Sequence, residues 1–259
     1  MMLRQGARSA MLVALLATTG ACAQQADARR SGFDFMSPSL QAMQRDDAQN
    51  PAMLWVADGE ALWKASAAPT DKSCAACHGD AARSMRSVAA RYPGVDAATK
   101  QVLTLWQRID LCRVRHQKLA PLPAESQGLL GLQAYVALQS RGLPMAPTDA
   151  PEVASAQARG RALFQTRIGQ LNLACATCHD GLAGRSLAGN PIPQAHATGY
   201  PTYRLEWQSL GSLQRRLRNC LTGVRAEPYA FDAPALTDLE AYLAARAAGM
   251  PLEAPAVRP

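Results

Sequence analysis

One short pattern, found twice, constrains this chain more than any other feature. Cys74-Ala75-Ala76-Cys77-His78 recurs 101 residues later as Cys175-Ala176-Thr177-Cys178-His179. Cys-x-x-Cys-His is the attachment pattern of c-type haem, in which both cysteines bond covalently to the porphyrin and the histidine becomes the proximal iron ligand. The sequence therefore predicts two covalently bound haem c groups, held by Cys74, Cys77, Cys175 and Cys178, with His78 and His179 on the irons.

Two other uses of paired cysteines are alternatives to haem. Two Cys-x-x-Cys pairs supply the four thiolates of a zinc site, but zinc pairs usually lie much closer in sequence and need no following histidine. A thioredoxin-like redox motif would need a βαβ context, and no strand-like run of Val, Ile or Thr precedes either pair. Haem attachment is therefore the favoured interpretation.

The overall composition limits the size of the fold and the class of partner. The chain has 259 residues, of which 48% are hydrophobic, enough for one large or two small domains. Aromatic residues make up only 5%, so a large apolar cofactor would help to fill two small cores. The net charge of +7 suits an acidic partner or an anionic substrate. Nucleic acid is not expected, because the basic residues are scattered, and no internal stretch is long and apolar enough to span a membrane.

The N-terminus has the features of a targeting segment. Arg4 and Arg8 precede an apolar run, and Ala21-Cys22-Ala23 offers a cleavage site. We predict a signal peptide over residues 1–23 and a periplasmic location, where bacteria attach c-type haem. Cys22 leaves open a second possibility, a lipid-modified cysteine at the mature N-terminus. Residues 24–54 are predicted to form an N-terminal extension that wraps the first domain.

The two halves of the chain are similar well beyond the haem motifs. Three pairs of segments match in the same order: Gly59-Glu60-Ala61-Leu62-Trp63 with Gly160-Arg161-Ala162-Leu163-Phe164, Tyr92-Pro93 with Tyr200-Pro201, and Leu132-Gln133-Ala134-Tyr135 with Leu239-Glu240-Ala241-Tyr242. Each Tyr-Pro tyrosine lies 20 residues before a lone cysteine, Cys112 or Cys220. Internal similarity in this order indicates two copies of one domain.

Each copy is predicted to be mostly helical. The apolar pattern predicts helices over 54–66, 99–112 and 125–141 in the first copy, and over 155–167, 206–220 and 237–248 in the second. This order resembles the class I cytochrome c fold, whose first and last helices cross at a small residue and an aromatic. Gly59 with Tyr135, and Gly160 with Tyr242, would fill those places. We predict a mainly α protein with two tandem class I cytochrome c-like domains, at 55–145 and 152–259, after the N-terminal extension, and with a linker at about 145–154.

The second axial ligand of each iron is predicted to be a lone cysteine. Class I cytochromes usually supply a methionine from just before the last helix, but Met145 and Met250 lie at or beyond the ends of the last helices. Cys112 and Cys220 stand in the expected place instead. A thiolate ligand donates strongly to iron and stabilises its ferric state.

A disulfide is the alternative role for these two cysteines. An exported protein permits a Cys112–Cys220 bond, and each haem would then need another ligand. His116 and His196 are candidates, although neither has a counterpart in the other repeat.

Both lone cysteines have an arginine four residues earlier, Arg108 and Arg216, which places it on the same helical face. A nearby cation favours thiolate and also binds anions through charge-assisted hydrogen bonds. The alternative is an arginine that is solvated or paired with a haem propionate, and for Arg108 we prefer it. Asp110 precedes the first lone cysteine by two residues, where the second copy has Arg218. An anion is therefore expected to prefer Cys220.

With these features the chain resembles the SoxA family, the dihaem A subunits of the SoxAX cytochromes of bacterial thiosulfate oxidation. Besides both haem motifs, the resemblance rests on Met36-Ser37-Pro38, Asn50-Pro51 through Leu54-Trp55, the 59–63 segment, Arg108-Ile109-Asp110-Leu111-Cys112-Arg113, and Cys220 with Arg225-Ala226-Glu227-Pro228-Tyr229.

The resemblance implies an L-cysteine S-thiosulfotransferase subunit, which couples thiosulfate oxidatively to a cysteine of a SoxYZ-like carrier protein while electrons pass through haem to a cytochrome. It implies that Cys220 is the catalytic cysteine, able to carry a persulfide while it ligates the second haem with His179. It also implies that Arg216 binds substrate and that His78 and Cys112 ligate the first haem.

The resemblance further implies a heterodimer with a SoxX-like monohaem cytochrome c subunit. A non-catalytic periplasmic dihaem electron carrier is the alternative function.

Overall fold

A computed structural model describes residues 27–259 of the chain, so the predicted signal peptide and Cys22 lie outside the described residues. The α-helices of this part are α1 (Pro38–Arg45), α2 (Ala52–Lys64), α3 (Cys74–His78), α4 (Ala81–Ser84), α5 (Leu105–Cys112), α6 (Gln127–Leu138), α7 (Pro151–Gln165), α8 (Cys175–His179), α9 (Leu213–Gly223) and α10 (Pro234–Arg246). The strands are β1 (Gly94–Val95), β2 (Val102–Leu103), β3 (Ser186–Leu187), β4 (Asn190–Pro191), β5 (Thr202–Arg204), β6 (Ser209–Gly211) and β7 (Ala256–Arg258). Two 3-10 turns (Phe33–Phe35, Ala89–Arg91) and a π-helical turn (Arg113–Gln117) complete the description. The predicted mainly α fold is confirmed.

A crossed pair of helices forms the centre of each domain. Helix α2 packs on α6 in the first domain, and α7 packs on α10 in the second. A Cβ atom on Gly59 would overlap the facing backbone of α6 and lie 2.9 Å from Cβ of Tyr135. A Cβ atom on Gly160 would overlap α10 in the same way and lie 2.8 Å from Cβ of Tyr242. Only glycine lets the two backbones come this close, so the predicted crossing residues are confirmed in both domains.

The helix that ends near each lone cysteine is shorter than predicted. Helices α5 and α9 begin at residues 105 and 213, not near 99 and 206, because the short strands β2 and β6 precede them. Strand β2 pairs antiparallel with β1, and β6 pairs antiparallel with β5. The side chains of Thr104 and Ser212 then cap the helices by accepting hydrogen bonds from the backbone N–H of Gln107 and Arg215. The two domains thus start this helix at equivalent residues.

The domains meet along equivalent segments of the two repeats. Residues 142–145 run antiparallel to 249–252, and the backbone N–H of Met145 donates to the carbonyl oxygen of Met250 at 2.8 Å. Both methionine side chains are buried in an apolar cluster that includes Leu132 of the first domain and Ala247 of the second. The two methionines therefore pack in the interface between the domains, which agrees with the prediction that they are not iron ligands. The predicted linker is shorter than expected, since α7 begins at Pro151.

The N-terminal extension, which we predicted to wrap the first domain, contacts both domains. Asp47 forms a salt bridge with Arg141 of the first domain at 2.6 Å. The Gln44 side chain accepts a hydrogen bond from the backbone N–H of Val257 in β7, which lies parallel to β5 in the second domain. None of the helices within residues 27–259 is long and apolar enough to cross a membrane.

Candidate functional site

In the second domain, the two predicted axial ligands line one cavity of about 140 Å³. His179 and Cys220 both line it, together with apolar side chains that include Leu217 and Leu243. Cys175 packs against the apolar cluster around Phe164, and Cys178 lies three residues further along α8. Helix α8 therefore presents the two thiols and the imidazole together, and α9 presents Cys220 from the facing side.

A backbone carbonyl orients the imidazole of His179. Nδ1 of His179 lies 2.7 Å from the carbonyl oxygen of Pro193. A carbonyl accepts only from an N–H, so Nδ1 carries the proton and Nε2 keeps the lone pair that can bind iron. Sequence analysis missed Pro193, because no pattern in the sequence connects it with His179.

Cys220 lines the same cavity as His179, Arg204 and Arg216, and its environment is therefore cationic. Burial raises the pKa of the Cys220 thiol, but the nearby His179 side chain and the positive charges of Arg216 and Arg204 outweigh burial and lower the pKa overall. The arrangement favours thiolate, the form of cysteine that binds metals and attacks sulfur.

In the first domain, the equivalent residues line a cavity of about 290 Å³. Its walls carry the predicted attachment residues Cys74 and Cys77, the predicted axial ligands His78 and Cys112, and apolar side chains such as Trp63, Leu105 and Val136. Burial raises the pKa of the Cys112 thiol, and Arg108 and Arg115 only partly offset this. Each cavity therefore fits a haem c: two thiols and an imidazole on one short helix, a fourth donor on a facing helix, and an apolar wall.

The structure agrees neither with a Cys112–Cys220 disulfide nor with a zinc site. Cys112 and Cys220 are free thiols that line different cavities, so they do not form the alternative disulfide. The two Cys-x-x-Cys pairs belong to different domains and do not combine into a zinc site. Within residues 27–259, no group of three or more His, Cys, Asp or Glu side chains is arranged to hold a metal ion. The alternative ligands His116 and His196 each lie on the wall of their own domain's cavity.

Asp96 pairs with the arginine beside Cys112 and with a second arginine, Arg115. The Asp96 carboxylate lies 2.8 Å from Arg108 and 2.7 Å from Arg115, and its side chain is only 3% exposed. The hydrogen bonds from Arg115, Thr99 and Arg108 hold the pKa of Asp96 far below its usual range. Arg108 therefore pairs with an internal carboxylate and is not the solvated arginine of one expectation; its pairing with a haem propionate stays a prediction.

Asp110 does not have the role that we predicted. It is buried and accepts a hydrogen bond from the backbone N–H of Leu122 at 2.9 Å, and it does not line the cavity of Cys112. Its counterpart Arg218 stacks on the ring of Phe231 at 4.5 Å. The predicted preference of an anion for Cys220 therefore depends on other residues, of which Asp96 is one.

Arg216 keeps its charge available to the cavity of Cys220. The nearest carboxylate, that of Glu206, is 3.9 Å away and 41% exposed, and it also lies 2.9 Å from Arg204. Arg204 lines the same cavity, and sequence analysis missed it. Arg258 also lines the cavity, but Glu253 neutralises it. Two guanidinium groups thus share one partly exposed carboxylate around Cys220.

Comparison with known proteins identifies the family. Residues 58–145 and 159–252 both match the family described as SoxA/TsdA, cytochrome c domain. The chain belongs to the SoxA family. A cytochrome c domain binds haem c covalently, so haem c is the cofactor of this family, and the residues around the cavities are compatible with it.

Individual members of the SoxA family are similar over most of the chain. The L-cysteine S-thiosulfotransferase subunit SoxA of Pseudaminobacter salicylatoxidans is 38% identical over 231 residues, which cover 88% of this chain and 80% of that protein. The subunit of the same name from Rhodovulum sulfidophilum is 31% identical over 236 residues, which cover 91% and 82%. The crystal structure of SoxXA from P. pantotrophus has a chain with a TM-score of 0.86 and 30% identity, with 89% of this chain and 87% of that chain covered.

Proposed function

We propose that this chain is the L-cysteine S-thiosulfotransferase subunit that couples thiosulfate to a cysteine of a SoxYZ-like carrier protein in the periplasm. The names of its relatives support this reaction. The observation that carries the proposal is the position of Cys220, which faces His179 in a cavity where two guanidinium groups share one carboxylate.

The proposal includes two haem c groups, one in each domain. Cys74 and Cys77 would attach the first, with His78 and Cys112 as axial ligands; Cys175 and Cys178 would attach the second, with His179 and Cys220. When bound, these groups supply one-electron acceptors for the two electrons that leave as a sulfur–sulfur bond forms.

The residues around Cys220 have distinct proposed roles in substrate binding and sulfur transfer. Arg216 binds the sulfonate end of thiosulfate, a dianion, through charge-assisted hydrogen bonds worth roughly 1.5–3 kcal/mol each. The bound anion then presents its outer sulfur to the persulfide of Cys220, and formation of a sulfur–sulfur bond between them releases two electrons. Attack of the carrier thiolate on that outer sulfur breaks the new bond, transfers the thiosulfate group to the carrier and restores the Cys220 persulfide. The Pro193 carbonyl keeps His179 in one tautomer, so that its Nε2 stays directed to the cavity.

A monohaem SoxX-like subunit is the proposed partner. The solved relative with the same fold over most of its chain is part of a SoxXA complex. The second cavity lies beside Phe35 and Met36 of the N-terminal extension, so this segment closes one side of the site. The carrier cysteine must then reach Cys220 from the open side.

Substitution of Cys220 separates catalysis from simple electron transfer. We expect Cys220→Ala to abolish thiosulfate-dependent reduction of a cytochrome in the presence of the carrier protein, with both haems still attached. If the chain is a non-catalytic electron carrier, the same variant changes the haem spectrum and leaves the thiosulfate-dependent rate intact, and the proposal fails.

The role of Arg216 has a matched control on the same helix. We expect Arg216→Ala to raise the KM for thiosulfate, whereas Arg215→Ala leaves it unchanged, because Arg215 lies over the ring of Trp207 and does not line the cavity. Equal KM values for both variants and the wild type would contradict the role of Arg216.

The mass of the denatured mature protein counts the haems and detects the persulfide. Two haem masses are expected, and an extra sulfur on Cys220 adds about 32 Da. The same measurement distinguishes cleavage after residue 23 from a lipid on Cys22.

A further inference from the structure

The two repeats correspond residue by residue between the Tyr-Pro pair and the lone cysteine. Tyr92 to Cys112 and Tyr200 to Cys220 span the same number of residues. Both segments contain a strand pair followed by a capped helix, with Thr104 and Ser212 as the equivalent capping residues. Equal length and equal structure mean that charges at matched positions can be compared directly.

One matched position carries opposite charges in the two domains. Asp96 lies four residues after its tyrosine and 12 before Arg108, and Arg204 lies four residues after its tyrosine and 12 before Arg216. In the first domain this position supplies a buried carboxylate, which lies 2.8 Å from Arg108 and also pairs with Arg115. In the second domain the same position supplies another guanidinium to the wall of the cavity.

Arg204 has too little negative charge around it for a buried cation. Its side chain is only 9% exposed. Nε of Arg204 lies 2.9 Å from Glu206, yet it has no partner with hydrogen-bond geometry among the described residues. That carboxylate is the nearest counter-charge of Arg216 as well. A buried charge without full compensation is costly unless a ligand supplies the missing partner.

We propose that Arg204 is a second anion-binding residue of the Cys220 site, and that the exchange of Asp96 for Arg204 decides which domain accepts the anionic substrate. This inference rests on the proposed function. The ligand chemistry is an oxyanion, and we assign it to the sulfonate end of thiosulfate. A haem carboxylate is the other oxyanion available near this wall, and the experiment distinguishes the two.

The test uses the haem-loaded protein with its partner subunit and compares Arg204→Met, Arg204→Lys and Arg204→Asp with the wild type. Arg215→Met is the matched control, because Arg215 and Arg204 both stack on Trp207, at 4.2 and 5.3 Å, but only Arg204 lines the cavity. The measurements are KM and kcat for thiosulfate, the Kd for thiosulfate from the haem spectrum, and the midpoint potential of each haem.

We expect Arg204→Met to raise KM and Kd about 10-fold or more, the loss of one charge-assisted hydrogen bond. The potentials and kcat should change little by comparison, and Arg204→Lys should recover most of the affinity. Arg204→Asp should bind thiosulfate still more weakly, because a carboxylate at this position would pair with Arg216 as Asp96 pairs with Arg108. Arg215→Met should behave as the wild type.

Two results would overturn the inference. One is an unchanged KM and Kd in Arg204→Met while Arg216→Ala raises both. The other is an unchanged Kd with a shifted haem potential, which would assign Arg204 to a haem carboxylate. Failure of the proposed function would give a different result from both of these, because the wild-type protein would then not turn over thiosulfate. Titration with sulfate, read from the haem spectrum, would still show whether Arg204 binds an oxyanion.

Discussion

Glu240 gives the second domain a pH-dependent stability that a single substitution should remove. This residue lies on α10, and its Oε1 atom is buried without a hydrogen-bond partner among the described residues. Burial raises the pKa of Glu240 to about 8; Gln214 on α9 partly offsets this, and the negative charge of Glu125 raises the pKa further. The Glu240 carboxyl is therefore protonated in the folded protein at neutral pH.

The raised pKa fixes the sign and size of the effect. Glu240 has a pKa of about 8 in the folded protein and an ordinary value of 4.5 when unfolded. Its contribution to stability is fully present below pH 4.5 and is lost as the pH rises through 8. Each pH unit in this window lowers the free energy of unfolding by about 1.4 kcal/mol, which amounts to about 3 kcal/mol at pH 7. Glu240→Gln keeps the shape of the side chain and removes the titration.

We expect Glu240→Gln to match the wild type near pH 4.5, to exceed its free energy of unfolding by up to about 3 kcal/mol at pH 7, and to keep a constant excess above pH 9. Chemical denaturation of the haem-loaded protein at several pH values, followed by circular dichroism, measures this difference. Glu227→Gln, at an exposed glutamate, is the control and should show no widening difference. If the wild type and Glu240→Gln lose stability in parallel between pH 5 and 9, the argument from burial is refuted.

Three further changes test the packing and the charges of the site. Gly160→Ala should lower the free energy of unfolding by about 1–3 kcal/mol, because the added methyl group would overlap α10. Gly223→Ala is the control and should be tolerated, since no atom lies within 4 Å of a Cβ at that position. Thermal denaturation of both variants measures the difference. Glu206→Gln should lower the KM for thiosulfate, because it removes the carboxylate that Arg204 and Arg216 share, and an increased KM would contradict that role. Asp96→Asn should destabilise the first domain by about 2 kcal/mol through the loss of charged hydrogen bonds, without a change in the KM for thiosulfate; a changed KM would mean that the first domain takes part in substrate binding.

The repeated helices could be predicted because they depend on local patterns. Apolar spacing located α2, α6, α7 and α10 to within a few residues, and the shared Gly and Tyr positions identified the crossing of each pair. The starts of α5 and α9 were placed six or seven residues too early, because a short strand and a capping residue precede each of these helices. Apolar periodicity does not detect such short strands, because they form by pairing with a neighbouring strand, and it does not detect the capping residue that begins each helix.

The charges around the two cysteines were harder to predict from spacing along one helix. The rule of four residues found Arg108 and Arg216, because a helix brings such residues to one face. We predicted that Asp110, two residues before Cys112, is the acid that distinguishes the two sites. The carboxylate that pairs with Arg108 instead belongs to Asp96, which follows β1. An ungapped comparison of the segments from Tyr92 and from Tyr200 would have found this position and its counterpart Arg204.

The covalent chemistry of this protein and its duplication could be predicted without a structure. The residues that attach a c-type haem lie within five consecutive positions, and matching segments in the same order are visible without coordinates. Only the tertiary structure decided which domain has positive charge to offer an anion. That property depends on Asp96, Arg204 and Glu206, whose charges act through distances of 3 to 4 Å between atoms on different elements. Electrostatic interactions of this kind depend on distance and burial, and folding alone sets both.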